Sequence, residues 1–501
     1  MTTVVTVLRP GVLPEPLIFE RGAPGRTGVV IAADEIEGPT SADVLPAALR
    51  REDALAGLPE VSELDVVRHF VRLSQWNLSA ATTLYPLGSC TMKYNPLANE
   101  AVARLPGFAG LHPLVPDAWA QGTLELMARL ADALGEVSGL PAVSLQPAAG
   151  AHGELSGMKM VRAYHADRGD PRRRVLIPAS AHGTNPASAA LCGYGVTEVA
   201  ANDAGMLDVD AVRRLLDRDV AALMVTNPNT LGVFERDIRA IAAAVHEAGA
   251  LVYCDGANMN ALMGVAKPGD MGADVLQFNL HKTFSTPHGG GGPGAGPIAV
   301  SAPLEPYLPT PRLVRDGGAW RWSDDFPRSI GRVRSFHGNV GMLVRAYCYI
   351  RSLGGEGLTD VTAMAVLNAN YLRARLAAVL PLAFPTESLH ECVFTDRDLE
   401  PTGVHTLDLA KRLLDYGFYA PTIYFPLVVP GAIMIEPTET ESKQTLDEFV
   451  AALEAIVAEA RTTPEVVKDA PHGTYVRRLD ETRAARRPVL RWRGAGEQAS
   501  S

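Results

Sequence analysis

The sequence predicts an α/β protein: a largely parallel, seven-stranded-type sheet covered by helices on both faces, with a smaller C-terminal α/β domain. Two observations carry this prediction. Between residues 142 and 300, short apolar runs alternate with stretches of helical spacing, the pattern by which parallel strands are connected. Most of these runs end in a polar motif rich in Gly, Asn or Pro, and such sheets bind ligands beyond the carboxyl ends of their strands.

Residues 1 to about 60 combine Pro, Gly and acidic side chains with weak periodicity. They read either as an extended arm that gains order by lying on another surface or as a frayed terminus. Leu64, Val67, Phe70, Val71 and Leu73 then recur at helical spacing between Glu63 and Trp76. The stretch Tyr85–Pro96 concentrates hydroxyls, Lys93 and turn formers, so it is a loop, either part of a site or a packed surface turn. A helix is expected over Leu124–Val137, with Leu126, Met127, Leu130, Leu134 and Val137 on one face.

Strands follow at Ala142–Leu145, Arg174–Pro178, Val196–Val199, Val220–Val225, in the run ending at Asp255, and at Pro297–Val300. Helices are expected from Leu207 and over Ile238–Ala248, the latter stopped by Gly249. A further helix is expected from Val340 to Leu353. The smaller domain, residues 355 to 465, contains a strand at Cys392–Phe394 and a helix opened by Thr445–Glu448 as a capping box. This divides the chain into an arm and loop (1–95), a large domain (96–354), a small domain (355–465) and a tail (466–501).

Composition narrows the function. The 501 residues carry a formal net charge of −10 and no basic cluster outside the arginine-bearing tail, which argues against nucleic-acid binding. The five cysteines are scattered, odd in number and without CxxC spacing, which favours a reducing compartment and argues against structural zinc. No apolar run reaches membrane-spanning length and the N-terminus lacks a charged leader, so a cytoplasmic protein with no membrane partner is expected. Glu436, Glu439 and Glu441 form an acidic turn, expected to be solvated or helix-capping, and no metal is assigned to it.

The densest motif is Phe278–His288, in which Lys282 stands between His281 and Thr283 just before a run of glycines, Gly289 to Gly292. A phosphate-cradling P-loop needs its lysine after the glycines. A dinucleotide fingerprint needs a helix after them, whereas here Pro293 leads into a strand. What remains is a Schiff-base lysine for pyridoxal 5'-phosphate, which requires an acidic partner for the pyridine nitrogen. Asp255, at the end of Leu251–Asp255, supplies one. The turn Gln146–Glu154 opens a helix with Gly150 and Ala151, suited to a phosphate dianion, and places His152 where an imidazole could stack on a flat ring. Asn227 and Thr230 follow another strand and offer hydrogen bonds to the cofactor's phenolic oxygen, or form a plain Asn-Pro turn.

Together these stretches resemble the subunit 2 (beta) half of glycine dehydrogenase (decarboxylating), the P-protein of the glycine cleavage system. The resemblance spans nearly the whole chain, through Tyr85–Pro96, Ser144–Glu154, Ser180–Ala187, Thr226–Gly232, Asp255–Asn260, Asn279–Gly294, Ser329–Gly341 and Tyr424–Ser442. It departs at Tyr419-Ala420, where the family looks more like His-Pro. The resemblance implies a fold-type-I transferase with pyridoxal phosphate covalent on Lys282, Asp255 at the pyridine nitrogen and His152 on the ring. It places His281 near the phosphate with Gly150 and Ala151. It also implies decarboxylation of glycine with transfer of the aminomethyl group to the lipoyl arm of H-protein, in an alpha2-beta2 heterotetramer with subunit 1. A non-catalytic scaffold subunit, or a stand-alone amino-acid decarboxylase of the same fold, are the competing readings.

Overall fold

The computed structural model describes residues 15–30, 38–50, 58–289 and 294–492. The expected arm, glycine run and tail therefore fall partly outside the described residues, including Gly290 to Gly292.

The central sheet contains β1 (Ala142–Ser144), β2 (Arg174–Pro178), β3 (Gly195–Val199), β4 (Val220–Thr226), β5 (Leu251–Gly256), β6 (Val275–Phe278) and β7 (Ile298–Val300). Their spatial order is β1-β7-β6-β5-β4-β2-β3. Strands β2 to β6 run parallel, and β7 is antiparallel to both of its neighbours. β4 and β5 are buried at every position. Covered on both faces, they read as unbroken apolar runs without alternation. Helices Gly150–Asp167, Thr184–Leu191, Val209–Leu215 and Ile238–Glu247 make the crossovers. On one side Met158, Val161, Val175, Met224 and Tyr253 form the core, and on the other Leu223, Val225, Ile241 and Val252. The hairpin β8 (Arg312–Asp316) and β9 (Ala319–Ser323) turns through Gly317 and Gly318, both at positive φ, which a tight hairpin of this kind requires.

The helix expected at Val340–Leu353 continues as a longer element, Val340–Leu376, interrupted at Gly354 with φ 65° and ψ −174°. It leads into a three-stranded antiparallel sheet of β10 (Cys392–Thr395), β11 (Thr422–Ile423) and β12 (Ala432–Ile435). Phe394, Leu409, Phe449, Leu453 and Ile456 fill the space between this sheet and helices Thr406–Asp415 and Lys443–Thr462. Leu84 belongs to the same core, and Leu87 pairs with Ile435 of β12. The loop that precedes the large sheet is thus a structural part of the small one.

The helix expected from Glu63 forms over Glu63–Ser74, with Leu64, Val67, Phe70 and Val71 half or more exposed on its surface. Two expectations are corrected. The last long helix is opened by Ser442, whose hydroxyl accepts the Thr445 N–H, so Thr445 sits inside the first turn and is not the cap. The acidic turn is not solvated: Glu436 is 1% exposed, and Glu439 is paired with the buried Lys93.

Candidate active site

A cavity of about 710 Å³ opens at the carboxyl ends of β4, β5 and β6, within the size range of cofactor pockets. Its walls include Gly150, Ala151, Glu154, His182, Thr226, Thr230, Asp255, Asn279, His281, Lys282 and His288, closed from the small-domain side by Tyr85, Ser89, Cys90 and Met92.

Asp255 is the penultimate residue of β5 and pairs in register with Gln277 of β6. The Gln277 side-chain amide donates to one of its oxygens, as does the Ala257 N–H at 2.9 Å, and Asn185 Nδ2 donates to the other at 3.1 Å. With 4% exposure and three donors, this carboxylate is fixed in place. Lys282 follows β6 in the one-turn helix Leu280–Thr283, five residues beyond Gln277, so the two adjacent parallel strands deliver amine and carboxylate to one chamber. Glu154 stands beside Asp255. Burial, and then the Asp255 charge, push its pKa up to about 7, while Thr184 and Asn185 donate to it at 2.9 Å each.

At the other end lies the N-terminus of helix Gly150–Asp167, whose first N–H groups have no intrahelical acceptors. A Cβ on Gly150 would lie 2.1 Å from Asn279 Nδ2, and one on Gly296 would lie 2.0 Å from the Ala149 oxygen, so this turn is closed tightly by residues without side chains. Asn279 Oδ1, His281 Nδ1 and His288 Nε2 have no hydrogen-bond partner among the described residues. Burial lowers His281 to about 3 and His288 to about 4, so both rings are neutral. A helix N-terminus ringed by unpartnered polar side chains fits a phosphate group.

Two of the expected site residues, His152 and Asn227, are not among the residues lining the cavity. His152 does not line the cavity. The helix begins at Gly150, so Gly150, Ala151 and Glu154 share one face while His152 lies about 200° round from Gly150. Its Nδ1 accepts the Ala148 N–H at 3.1 Å, and burial, then Arg334, lower its pKa. His182 does line the chamber, together with His281 and His288; it is held by Thr184 through its Nδ1, and burial, then Lys282, lower its pKa. Asn227 is also turned away: its Oδ1 accepts the Glu235 N–H at 3.0 Å and its amide faces Met271. Thr230 does line the cavity, with its hydroxyl donating to the Ser180 carbonyl. The divergent Tyr419 stacks on Tyr85 with ring centroids 3.8 Å apart, bracing the loop that closes the chamber.

Comparison with known proteins places this arrangement. The sequence profile described as "Glycine dehydrogenase, C-terminal domain" matches residues 361–473, and "Aminotransferase class-V" matches residues 155–291. The chain is 53% identical over 479 residues to a Bacillus licheniformis protein named "Probable glycine dehydrogenase (decarboxylating) subunit 2", covering 95% of this chain and 99% of the relative. A Chlorobium chlorochromatii protein of the same name is 54% identical over 477 residues, at 95% and 99% coverage. The chain belongs to the glycine dehydrogenase (decarboxylating) subunit 2 family. Its fold is that of a solved glycine decarboxylase (P-protein) of the glycine cleavage system in inhibitor-bound form, with a TM-score of 0.71 at 22% identity over 83% of this chain and 95% of that one. A cysteine desulfurase from Thermococcus onnurineus shares the fold with a TM-score of 0.60 at 15% identity, over 75% of this chain and 95% of that one. Pyridoxal phosphate is the cofactor of this family, and the donor set fits it: amine, fixed carboxylate and phosphate-sized polar cradle border one cavity. Among the described residues no helix is long and apolar enough to cross a membrane.

Proposed function

We propose that this chain is the cofactor-bearing subunit of a cytoplasmic glycine dehydrogenase that decarboxylates glycine and hands the aminomethyl group to the lipoyl arm of H-protein. A homologous subunit 1 completes an alpha2-beta2 assembly in this reading. The observation that carries it is the convergence of Lys282, Asp255 and the Gly150–Asp167 helix terminus on a single cavity. When bound, pyridoxal phosphate supplies an electron sink for the bond to the substrate carboxylate. Lys282 provides the amine that anchors it covalently, and Asp255, oriented by Gln277, Ala257 and Asn185, holds the proton on the ring nitrogen. His182 takes the ring-face position first assigned to His152. Gly150 and Ala151 offer backbone donors, and Asn279, His281 and His288 polar side chains, to the phosphate. The Tyr85–Met92 wall keeps bulk water from the reacting carbon. The outward apolar face of helix Glu63–Ser74 is surface of the kind a partner subunit covers.

Borohydride reduction of the purified chain with pyridoxal phosphate, alone and with subunit 1, followed by peptide mapping, tests the reading. Label on Lys282 is expected. Label absent from Lys282 in both samples would replace it with a scaffold subunit, and glycine decarboxylation without subunit 1 or H-protein would replace it with a stand-alone decarboxylase.

A further inference from the structure

Behind the cavity wall three ionisable side chains meet away from water. His390, Glu391 and Glu436 are 0%, 0% and 1% exposed, with ligating atoms within 4.8 Å of one another. His390 Nε2 lies 3.9 Å from Glu391 Oε1 and 3.9 Å from Glu436 Oε1, beyond hydrogen-bonding reach. Neither ring nitrogen of His390 nor Glu391 Oε1 has a hydrogen-bond partner among the described residues.

The carboxylates also reach out to a single short piece of backbone. Glu391 Oε2 accepts the Ser89 N–H at 2.8 Å, Glu436 Oε2 accepts the Thr91 N–H at 2.9 Å, and Glu436 Oε1 accepts the Thr91 hydroxyl. Ser89 and Thr91 have φ of 62° and 48°. Side chains other than glycine adopt that region only where their surroundings impose it. Between them Cys90 faces the cavity, on a wall shared with Lys282. The clamp thus holds two left-handed residues, one on each side of a residue in the active-site wall.

Two adjacent carboxylates without water do not both ionise. Burial, then the Glu436 charge, push Glu391 far above the usual carboxylate range, opposed by the Ser89 N–H and Lys282. Burial holds His390 neutral against the pull of Glu436. Cys90 and Cys392, both raised by burial, are further titratable neighbours.

We propose that Glu391 and Glu436 are positioning residues for the reaction: buried side by side against His390, they clamp Ser89 and Thr91 through hydrogen bonds so that the Cys90 segment forms a fixed wall of the Lys282 chamber. This deepens the proposed function and rests on it only for the link to turnover. The clamp itself is read from backbone protection, without cofactor or substrate.

The test is amide hydrogen exchange of the segment 87–93 in the full chain, joined to glycine turnover with subunit 1 and H-protein and to metal analysis. Glu391→Gln keeps an acceptor for the Ser89 N–H and no charge is lost, so its exchange stays within 2-fold of wild type. Glu391→Ala raises exchange at least 10-fold and lowers kcat at least 10-fold with little change in KM for glycine, and Glu391→Gln restores both. Thr91→Val removes only the hydroxyl donor and raises exchange at Thr91 several-fold, which keeps the proposal open to refutation if Glu391→Ala fails to fold. Wild-type exchange in both Glu391→Ala and Thr91→Val would overturn it. So would Glu391→Gln behaving like Glu391→Ala, or one equivalent of divalent metal in the wild type that is lost in Glu391→Gln. Failure of Lys282 labelling with the clamp intact would instead overturn the functional reading.

Discussion

The ammonium of Lys93 lies 2.8 Å from the carboxylate of Glu439 in the interior, with Lys93 only 4% exposed. The same ammonium reaches Asn260 Oδ1 at 2.8 Å, the Thr283 carbonyl at 3.0 Å and the Tyr349 hydroxyl at 3.2 Å. One charge therefore ties the 85–96 loop to the helix that carries Lys282, to the long helix and to the small domain. Removing one partner of a buried pair leaves an uncompensated charge and costs about 3–5 kcal/mol. Lys93→Met is expected to lose stability on that scale, and the double change with Glu439→Gln to recover part of it. A double-mutant cycle by chemical denaturation measures the coupling.

His182 lines the chamber and His152 does not. His182→Ala is expected to weaken pyridoxal phosphate binding at least 10-fold in a fluorescence titration, and His152→Ala to leave it within about 3-fold. The opposite ranking would return the ring face to His152.

A side chain at residue 296 has no room. The Ala149 oxygen, the Ala149 carbon and the Gly150 nitrogen would lie 2.0, 2.3 and 2.8 Å from its Cβ. Because these are backbone atoms, relief requires moving the helix terminus itself. Gly296→Ala is expected to destabilise by about 3 kcal/mol and to abolish cofactor retention, read by thermal unfolding and by absorbance after gel filtration.

Glu154 imposes a pH dependence of definite sign. Its pKa is raised from 4.5 to about 7 in the folded chain, so folding favours the protonated form. The stability this provides is fully present below about pH 4.5 and is lost as pH rises through about 7. The difference in unfolding free energy between wild type and Glu154→Gln should fall by about 3 kcal/mol across that window. A flat difference would show that Glu154 titrates normally.

His281 and His288 are neutral before the cofactor binds, with pKa of about 3 and 4. A phosphate dianion beside them favours the imidazolium. Cofactor binding near pH 6 is expected to take up protons, measurable by calorimetry in buffers of different ionisation heat. Double replacement by Asn is expected to remove the uptake.

The strands, and the lysine motif at the end of one of them, were legible because local rules govern them. Val220–Val225 and Leu251–Asp255 are buried on both faces, and their composition says so. Asp255, near the end of β5, and Lys282, in the one-turn helix that follows β6, stand at the ends of adjacent strands, where a motif at each strand end points into one space. The misread residues depended on rotation or on distant partners. His152 was placed by order along the chain, but the start of the helix at Gly150 decides which way it points. Glu436 and Glu439 read as a solvated turn because their partners, Thr91 and Lys93, are brought to them only by the tertiary fold. His182 had a visible signal, a histidine after β2 in the motif Ser180–Pro186, and only the placement of that strand end beside β4 gives it meaning.

The pairing of Leu87 with Ile435 has a bearing on how the protein comes into being. The bonds between Thr91 and Glu436 span 345 positions of the chain. The ribosome makes the first partner long before the second, so the early segment has to wait, unpaired, until the last quarter of the chain has emerged. The large sheet can close before that point in synthesis, but the chamber wall cannot be pinned until Glu436 is available. Contacts this remote in sequence are slow to form, which sets the pinning of this wall after the pairing within the large sheet.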